Sequence, residues 1–284
     1  MDQRQLGDLT TTVLGFGCWP IAGYVHDLDE GQPERTIHAA LDAGIRLFDT
    51  ARAYCPGGEN GYGERQLARA LRRWDGDRDE VVVATKVVSG RDDAGHWIRD
   101  GRPATVRAWA QEACGHLGVE HLDLLQSHAV DPEVPWVETV GALSDLRDEG
   151  LVREVGISNV TAAQVWEAVE VTDIASVQNE TNPDGVDRPV LAACHELGIT
   201  YLPYSPFGGP GSASRLGERH PALATVAERH GVSPHQVCLA WLRSLDDVVL
   251  PIPAATRPTT IRDSAAAADL HLTDEDVADL ADLG

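Results

Sequence analysis

Short apolar runs rich in β-branched residues alternate along the chain with longer segments whose apolar positions recur every three or four residues. Eight runs read as strands: Val13–Gly17, Ile45–Thr50, Val81–Val87, Leu122–His128, Val152–Ser158, Ala175–Asn179, Thr200–Tyr204 and Val248–Ile252. The intervening segments read as helices: Pro33–Ala43, Glu64–Arg73, Ala104–Leu117, Trp136–Asp148, Ala162–Val169, Arg188–Leu197, Pro234–Leu245 and Thr259–Ala268. Gly44, Gly118, Gly150 and Gly198 sit where left-handed C′ residues end helices. Thr161, Asp187 and Ser233 sit where side chains cap helix N-termini. Eight βα units with no break in composition predict an α/β fold, a (β/α)8 TIM barrel in a single domain over residues 1–284. The competing open doubly wound sheet lacks its signature, since no G-x-G-x-x-G follows the first strand. Ahead of the barrel, Arg4–Leu6 and Thr10–Thr12 flank Gly7-Asp8, which predicts a β-hairpin closing the barrel bottom. Extra helices are predicted at Leu223–Arg229 and Asp274–Asp282.

Composition narrows the setting. A chain of 284 residues is long for one domain but ordinary for an α/β barrel, and it needs no disulfide or metal to be stable. Five scattered cysteines with no C-x-x-C pair read as reduced thiols. The net charge of −22 opposes a nucleic-acid partner, because phosphates would be repelled. No leading apolar segment and no run of about 18 apolar residues is present, so the expectation is a cytoplasmic protein with no membrane partner, taken as a monomer. No cluster of His, Cys and Asp with ligand spacing points to a metal.

The 23 basic residues are 22 arginines and one lysine, Lys86, which ends the apolar run Val81–Val87. Codon bias explains scarce lysine but not the place of the survivor. Arginine substitutes for most surface lysines and fails where a compact ammonium is needed. In a barrel, functional groups sit at the C-terminal ends of strands and in the loops that follow. Asp49 ends the second strand, Tyr54 lies in the next loop, and His128 ends the fourth strand. Neighbouring strands lie about 4.8 Å apart, so these groups can converge with Lys86. The chemistry that suits them is proton transfer from a phenol. Lys86 would lower the high pKa of Tyr54, Asp49 would hold the ammonium, and His128 would orient a reacting carbonyl.

The motifs Phe48-Asp49-Thr50-Ala51 with Tyr54, Ala84-Thr85-Lys86, Leu125-Gln126-Ser127-His128, Val155–Asn159, Val177-Gln178-Asn179 and Pro203–Pro206 together resemble the aldo-keto reductase superfamily. They run in that family's order over nearly the whole chain. The resemblance implies a nicotinamide-dependent oxidoreductase that interconverts an aldehyde or ketone with an alcohol by direct hydride transfer. Tyr54 is then the general acid/base, tuned by Lys86 and Asp49, and His128 positions the substrate. Ser158, Asn159 and Gln178 would hold the nicotinamide carboxamide, and Tyr204 would stack on the ring. Ser205, Phe207 and Gly208, in the glycine-rich Ser205–Gly211 loop, would meet the pyrophosphate.

The adenosine end departs from the family pattern. Positions after Ile252-Pro253 that carry lysine and serine in NADP-preferring relatives read Ala254 and Ala255, leaving Arg257 or Arg262 for a 2′-phosphate and Asp263 for adenine. The family's habit favours NADP(H), with NAD(H) compatible. Trp19, Tyr24 and Phe207 are the expected apolar walls for a small carbonyl or alcohol substrate, with His96, Trp97 and Trp136 as further candidates. The same resemblance admits two alternatives: a cofactor-sensing binding module with negligible turnover, and a sugar or polyol dehydrogenase.

Overall fold

A computed structural model describes residues 1–24, 28–209 and 211–284. The chain begins with the expected hairpin. β1 (Gln3–Leu6) pairs antiparallel with β2 (Leu9–Thr12) around Gly7-Asp8. Gly7 has φ +59°, and a Cβ there would fall 2.5 Å from the Glu154 carboxyl group, so only glycine fits. The buried carboxylate of Glu154 accepts the Asp8 backbone N–H at 2.7 Å, tying the turn to the barrel wall. Leu6 and Leu9 join Leu47, Val82, Leu124, Leu202 and Leu250 in one inner cluster. The hairpin therefore fills the barrel bottom with apolar side chains.

The barrel wall is a seven-stranded parallel sheet. In spatial order it comprises β3 (Gly15–Gly17), β4 (Leu47–Asp49), β5 (Val82–Val87), β8 (Leu122–Ser127), β9 (Val152–Ser158), β10 (Ser176–Gln178) and β11 (Thr200–Tyr201). The eighth predicted strand, Val248–Ile252, is not a regular strand, which corrects the sequence reading. Pro251 and Pro253 lack the N–H that a continuous ladder needs. The segment nevertheless closes the ring. Tyr201 N donates to Val248 O at 2.9 Å, Leu250 N to Tyr201 O at 2.8 Å, and Ile252 N to Pro203 O at 3.2 Å. On its other edge the carbonyls of Pro251 and Pro253 accept from Gly15 N and Gly17 N at 3.0 and 2.9 Å. Proline keeps its acceptor, and the side facing β3 uses acceptors here.

Helices cover the outside. They are α1 (Gln32–Asp42), α2 (Tyr62–Arg73), α3 (Pro103–Leu117), α4 (Trp136–Asp148), α5 (Ala162–Val169), α6 (Arg188–Leu197), α7 (Leu216–Arg219), α8 (Pro221–His230), α9 (Pro234–Ser244), α10 (Pro258–Ala266) and α11 (Asp274–Asp279). Thr161, Asp187 and Ser233 cap α5, α6 and α9 as expected, and Gly118 and Gly198 close α3 and α6 in the left-handed conformation. The sequence reading lacks the short α7 and a second hairpin of β6 (Ser89–Arg91) and β7 (Trp97–Arg99) between β5 and α3. All three β7 residues are exposed, so it carries no alternation of buried and solvated positions to betray it. Among the described residues, no helix is long and apolar enough to cross a membrane.

Candidate active site

The wall of the barrel changes from apolar to polar at its C-terminal end. Asp49 is the last residue of β4 and Lys86 the fifth of β5, and both are buried. The ammonium Nζ of Lys86 donates to Asp49 Oδ2 at 2.6 Å and to Thr50 O at 2.9 Å. A third contact reaches the Tyr54 hydroxyl at 3.5 Å. Behind them Thr85 Oγ1 donates to the buried Glu64 carboxylate of α2, which also meets His116 Nδ1 of α3 at 2.7 Å. β5 is thus fastened to the helical layer one residue before the lysine.

The Tyr54 and His128 rings meet edge to face with centroids 5.6 Å apart. Tyr54, Lys86, Asp49 and His128 are therefore brought together. One expectation needs correction: the Tyr54 hydroxyl is not made more acidic. Desolvation, then the negative charge of Asp49, push its pKa well above the ordinary phenol value. The cation is real, but its charge is shared with a carboxylate 2.6 Å away. Burial therefore favours the neutral phenol. Desolvation, followed by Lys86, Arg99 and Arg91, lowers the His128 pKa well below the usual histidine value, leaving a neutral imidazole. Its Nδ1 is buried with no hydrogen-bond partner among the described residues.

Gln126 is a part of this centre that the sequence reading quotes in a motif but assigns no role. It lies opposite Lys86 in the β5–β8 register and is wholly buried. Its Nε2 donates to Asp49 Oδ1 at 3.1 Å, and its Oε1 accepts from Ser176 Oγ at 3.3 Å. Gln178 Nε2 reaches the same Asp49 oxygen at 2.9 Å. Two amides saturate Oδ1 and leave Oδ2 for the lysine. A Cβ at Gly156 would lie 2.3 Å from Ser176 Oγ and 2.8 Å from Gln126 Cγ, so glycine there makes room for the pair.

Ser158 and Asn159, at the end of β9, adjoin this belt. Ser158 Oγ donates to Gln178 O at 2.6 Å, and Asn159 Nδ2 donates to His128 O at 2.8 Å. The Tyr204 hydroxyl donates to Asn159 Oδ1 at 2.8 Å. Asn159 and Ser205 are among the few non-glycine residues with positive φ, +58° and +50°. Such backbone is rare and concentrates where function overrides local preference. After Ser205 the chain turns at Gly208 (φ +84°), where a Cβ would press on Ser212 and the Arg219 guanidinium. Pro210 of this loop lies outside the described residues. The donor set fits a nicotinamide dinucleotide: amide and hydroxyl groups at the strand ends for a carboxamide, and a glycine loop beside a guanidinium for a pyrophosphate. Farther out, Arg257 and Arg262 are exposed. Both carboxylate oxygens of Asp263 are engaged, by Ser233 Oγ and Gln236 Nε2 at 2.6 Å each, so the residue braces the start of α9.

The expected walls are placed unequally. Trp19 and Tyr24 stack at 4.6 Å, but Phe207 is buried with its ring edge to face on His235 of α9. Trp136 is buried too, donating to Gln164 O. Tyr24 does more than line the mouth. Its hydroxyl donates to Ala53 O at 2.9 Å and accepts from Cys55 N at 3.2 Å and Arg91 Nη2 at 3.0 Å. It therefore grips the backbone on both sides of Tyr54. Tyr24→Phe is expected to lower kcat by about tenfold through displacement of Tyr54. Stability should fall by only about 1 kcal/mol. Steady-state kinetics alongside thermal melting would check this, and unchanged kcat would show that the loop holds without the hydroxyl.

The sequence model of the aldo/keto reductase family matches residues 13–284. The chain is 30% identical to probable aldo-keto reductase 1 of Glycine max, over 94% of this chain and 84% of that protein. Among solved structures, it resembles the glycerol dehydrogenase of Gluconobacter oxydans with a TM-score of 0.85 at 25% identity, covering 99% of this chain and 94% of the other. An aldo-keto reductase of Bombyx mori, solved in complex with NADP, gives a TM-score of 0.80 at 27% identity over 98% and 91% of the two chains. Likeness that spans sequence and fold alike over almost every residue settles the kinship: this chain belongs to the aldo/keto reductase family, NAD(P)-dependent oxidoreductases acting on carbonyl and alcohol groups.

Proposed function

We propose that the protein interconverts a small aldehyde or ketone with its alcohol, with Tyr54 as general acid in reduction and general base in oxidation. The observation that carries this reading is the contact chain from Asp49 through Lys86 to the Tyr54 hydroxyl, at 2.6 and 3.5 Å, beside a neutral His128. Ser158, Asn159, Gln178 and Tyr204 would hold the nicotinamide end of the cofactor, and Ser205 and Gly208 the pyrophosphate. When bound, the cofactor supplies or accepts a hydride. Tyr54 gives its proton to the carbonyl oxygen as negative charge develops there. The phenolate left behind lies against the Lys86 ammonium, which offsets part of the cost of burying that charge. Asp49 keeps that ammonium in place, and the His128 N–H holds the same carbonyl oxygen in line.

NADP(H) is the proposed cofactor. Arg257 and Arg262, exposed at and near the start of α10, would meet the 2′-phosphate, and the Bombyx mori relative was solved with NADP. The test is oxidation of NADPH, and separately NADH, with aromatic aldehydes and aldoses, followed by the reverse reaction with the matching alcohols. Absence of turnover in every combination, despite tight cofactor binding, would favour a binding module.

The raised Tyr54 pKa gives the two directions opposite pH behaviour. Reduction needs the protonated phenol, so its kcat should stay flat from about pH 6 to 9. Alcohol oxidation needs the phenolate, so its kcat should climb with pH over that whole range without a plateau. A neutral His128 adds no inflection near pH 6.5. Initial-rate profiles in both directions would check the signs.

A further inference from the structure

The β6–β7 hairpin crosses the barrel mouth and carries charge that the catalytic centre does not use. Val88, which leads into it, is buried with φ +74°, a strained conformation for a β-branched residue. By register and alternation Arg91, Trp97 and Arg99 share one face of the hairpin. The chain has 45 acidic residues against 23 basic ones, and many of its arginines meet carboxylates, as Arg52 meets Glu112 and Arg107 meets Glu149. Arg91 and Arg99 form no ion pair among the described residues. Instead, the Arg91 guanidinium lies 3.6 Å over the Trp97 ring. It is fixed by Nη2 on the Tyr24 hydroxyl at 3.0 Å and by Nη1 on Gly95 O at 3.2 Å. A guanidinium has five N–H groups, so each terminal nitrogen keeps one N–H to spare. Trp97, half exposed, stands edge on to His128 at 5.8 Å.

We infer that the substrate carries an anionic group, carboxylate or phosphate, beyond its carbonyl, bound by the fixed Arg91 fork across the Trp97 ring with Arg99 beside it. The inference rests on the carbonyl–alcohol reading above. A protein of net charge −22 repels anions in general, and the hairpin itself is balanced, with Asp92 and Asp93 in its turn, so the attraction is local to the face that Arg91 and Arg99 share. Two matched pairs of probes test it: 4-carboxybenzaldehyde against methyl 4-formylbenzoate, and glyceraldehyde 3-phosphate against glyceraldehyde. For at least one pair, the charged member should be preferred in kcat/KM by roughly 10- to 100-fold. Which pair responds distinguishes carboxylate from phosphate.

In Arg91→Leu that preference should collapse toward unity, and Arg91→Lys should restore part of it. Arg91 also braces Tyr24, so absolute rates will fall for both members, and their ratio is the diagnostic. Calorimetric binding of benzoate and of phenyl phosphate to the cofactor-loaded protein gives a second readout. At least one should bind wild type and lose affinity in Arg91→Leu. Equal or better use of the neutral probes, with anion binding indifferent to Arg91, would overturn the inference. If no carbonyl is turned over, the reaction reading fails, and the binding arm still decides the anion site.

Discussion

Tyr54→Phe is expected to lower turnover in both directions by about 10² to 10⁴-fold while leaving cofactor affinity unchanged. The substitution removes one oxygen, 3.5 Å from Lys86 Nζ, and leaves the ring that packs against His128. The lysine keeps its bonds to Asp49 and Thr50, so no buried charge is orphaned and the fold should hold. The sidedness separates proton transfer from architecture. The groups proposed for the carboxamide, Ser158, Asn159 and Gln178, bond to each other, to Asp49 and to His128 O, and none contacts the Tyr54 hydroxyl. Cofactor affinity, read by fluorescence titration, should therefore match wild type. Turnover within about tenfold of wild type would remove Tyr54 from the chemistry; weakened cofactor binding would make it a structural residue.

Some parts of this molecule were readable in one dimension and others were not, for definite reasons. Asp49, Lys86 and His128 could be placed together because strand spacing and strand ends follow from periodicity alone. The apolar run Val248–Ile252 predicts a strand that does not form as a regular ladder, because such a run says nothing of which edge needs donors, and Pro251 and Pro253 serve only as acceptors toward β3. Gln126 went unassigned because a glutamine in an apolar run carries no period. Its meaning lies in the space left by Gly156, two strands beyond Lys86. The sign of the Tyr54 shift is hidden in one dimension because the sequence supplies the neighbouring cation but not the desolvation that outweighs it. Tyr24 looked like a pocket wall, since its aromatic ring is evident from the letter and its three hydroxyl bonds are not. The β6–β7 hairpin shares that fate: its apolar residues Trp97 and Ile98 are both exposed, against the usual pattern.

Lys86→Met is expected to cost about 3–5 kcal/mol of stability as well as nearly all activity. The intact ion pair is not a large net source of stability. Its attraction in a low dielectric is offset by the loss of two hydration shells. Removing one partner is different, because Asp49, about 2% exposed, is left ionised without a cation. Gln126 and Gln178 still donate to Oδ1, but Oδ2 loses its donor. Adding Asp49→Asn should recover stability at pH 7, since Asn keeps an acceptor for the two glutamines and buries no charge. Recovery should be incomplete, because the new amide must find an acceptor in place of the ammonium. Activity should return in neither variant, which separates the charge that stabilises a phenolate from the charge balance that stabilises the fold. Denaturant melts of the single and double variants at pH 7 would show this. A double variant no more stable than Lys86→Met would mean that the stranded Asp49 charge is not the source of the penalty.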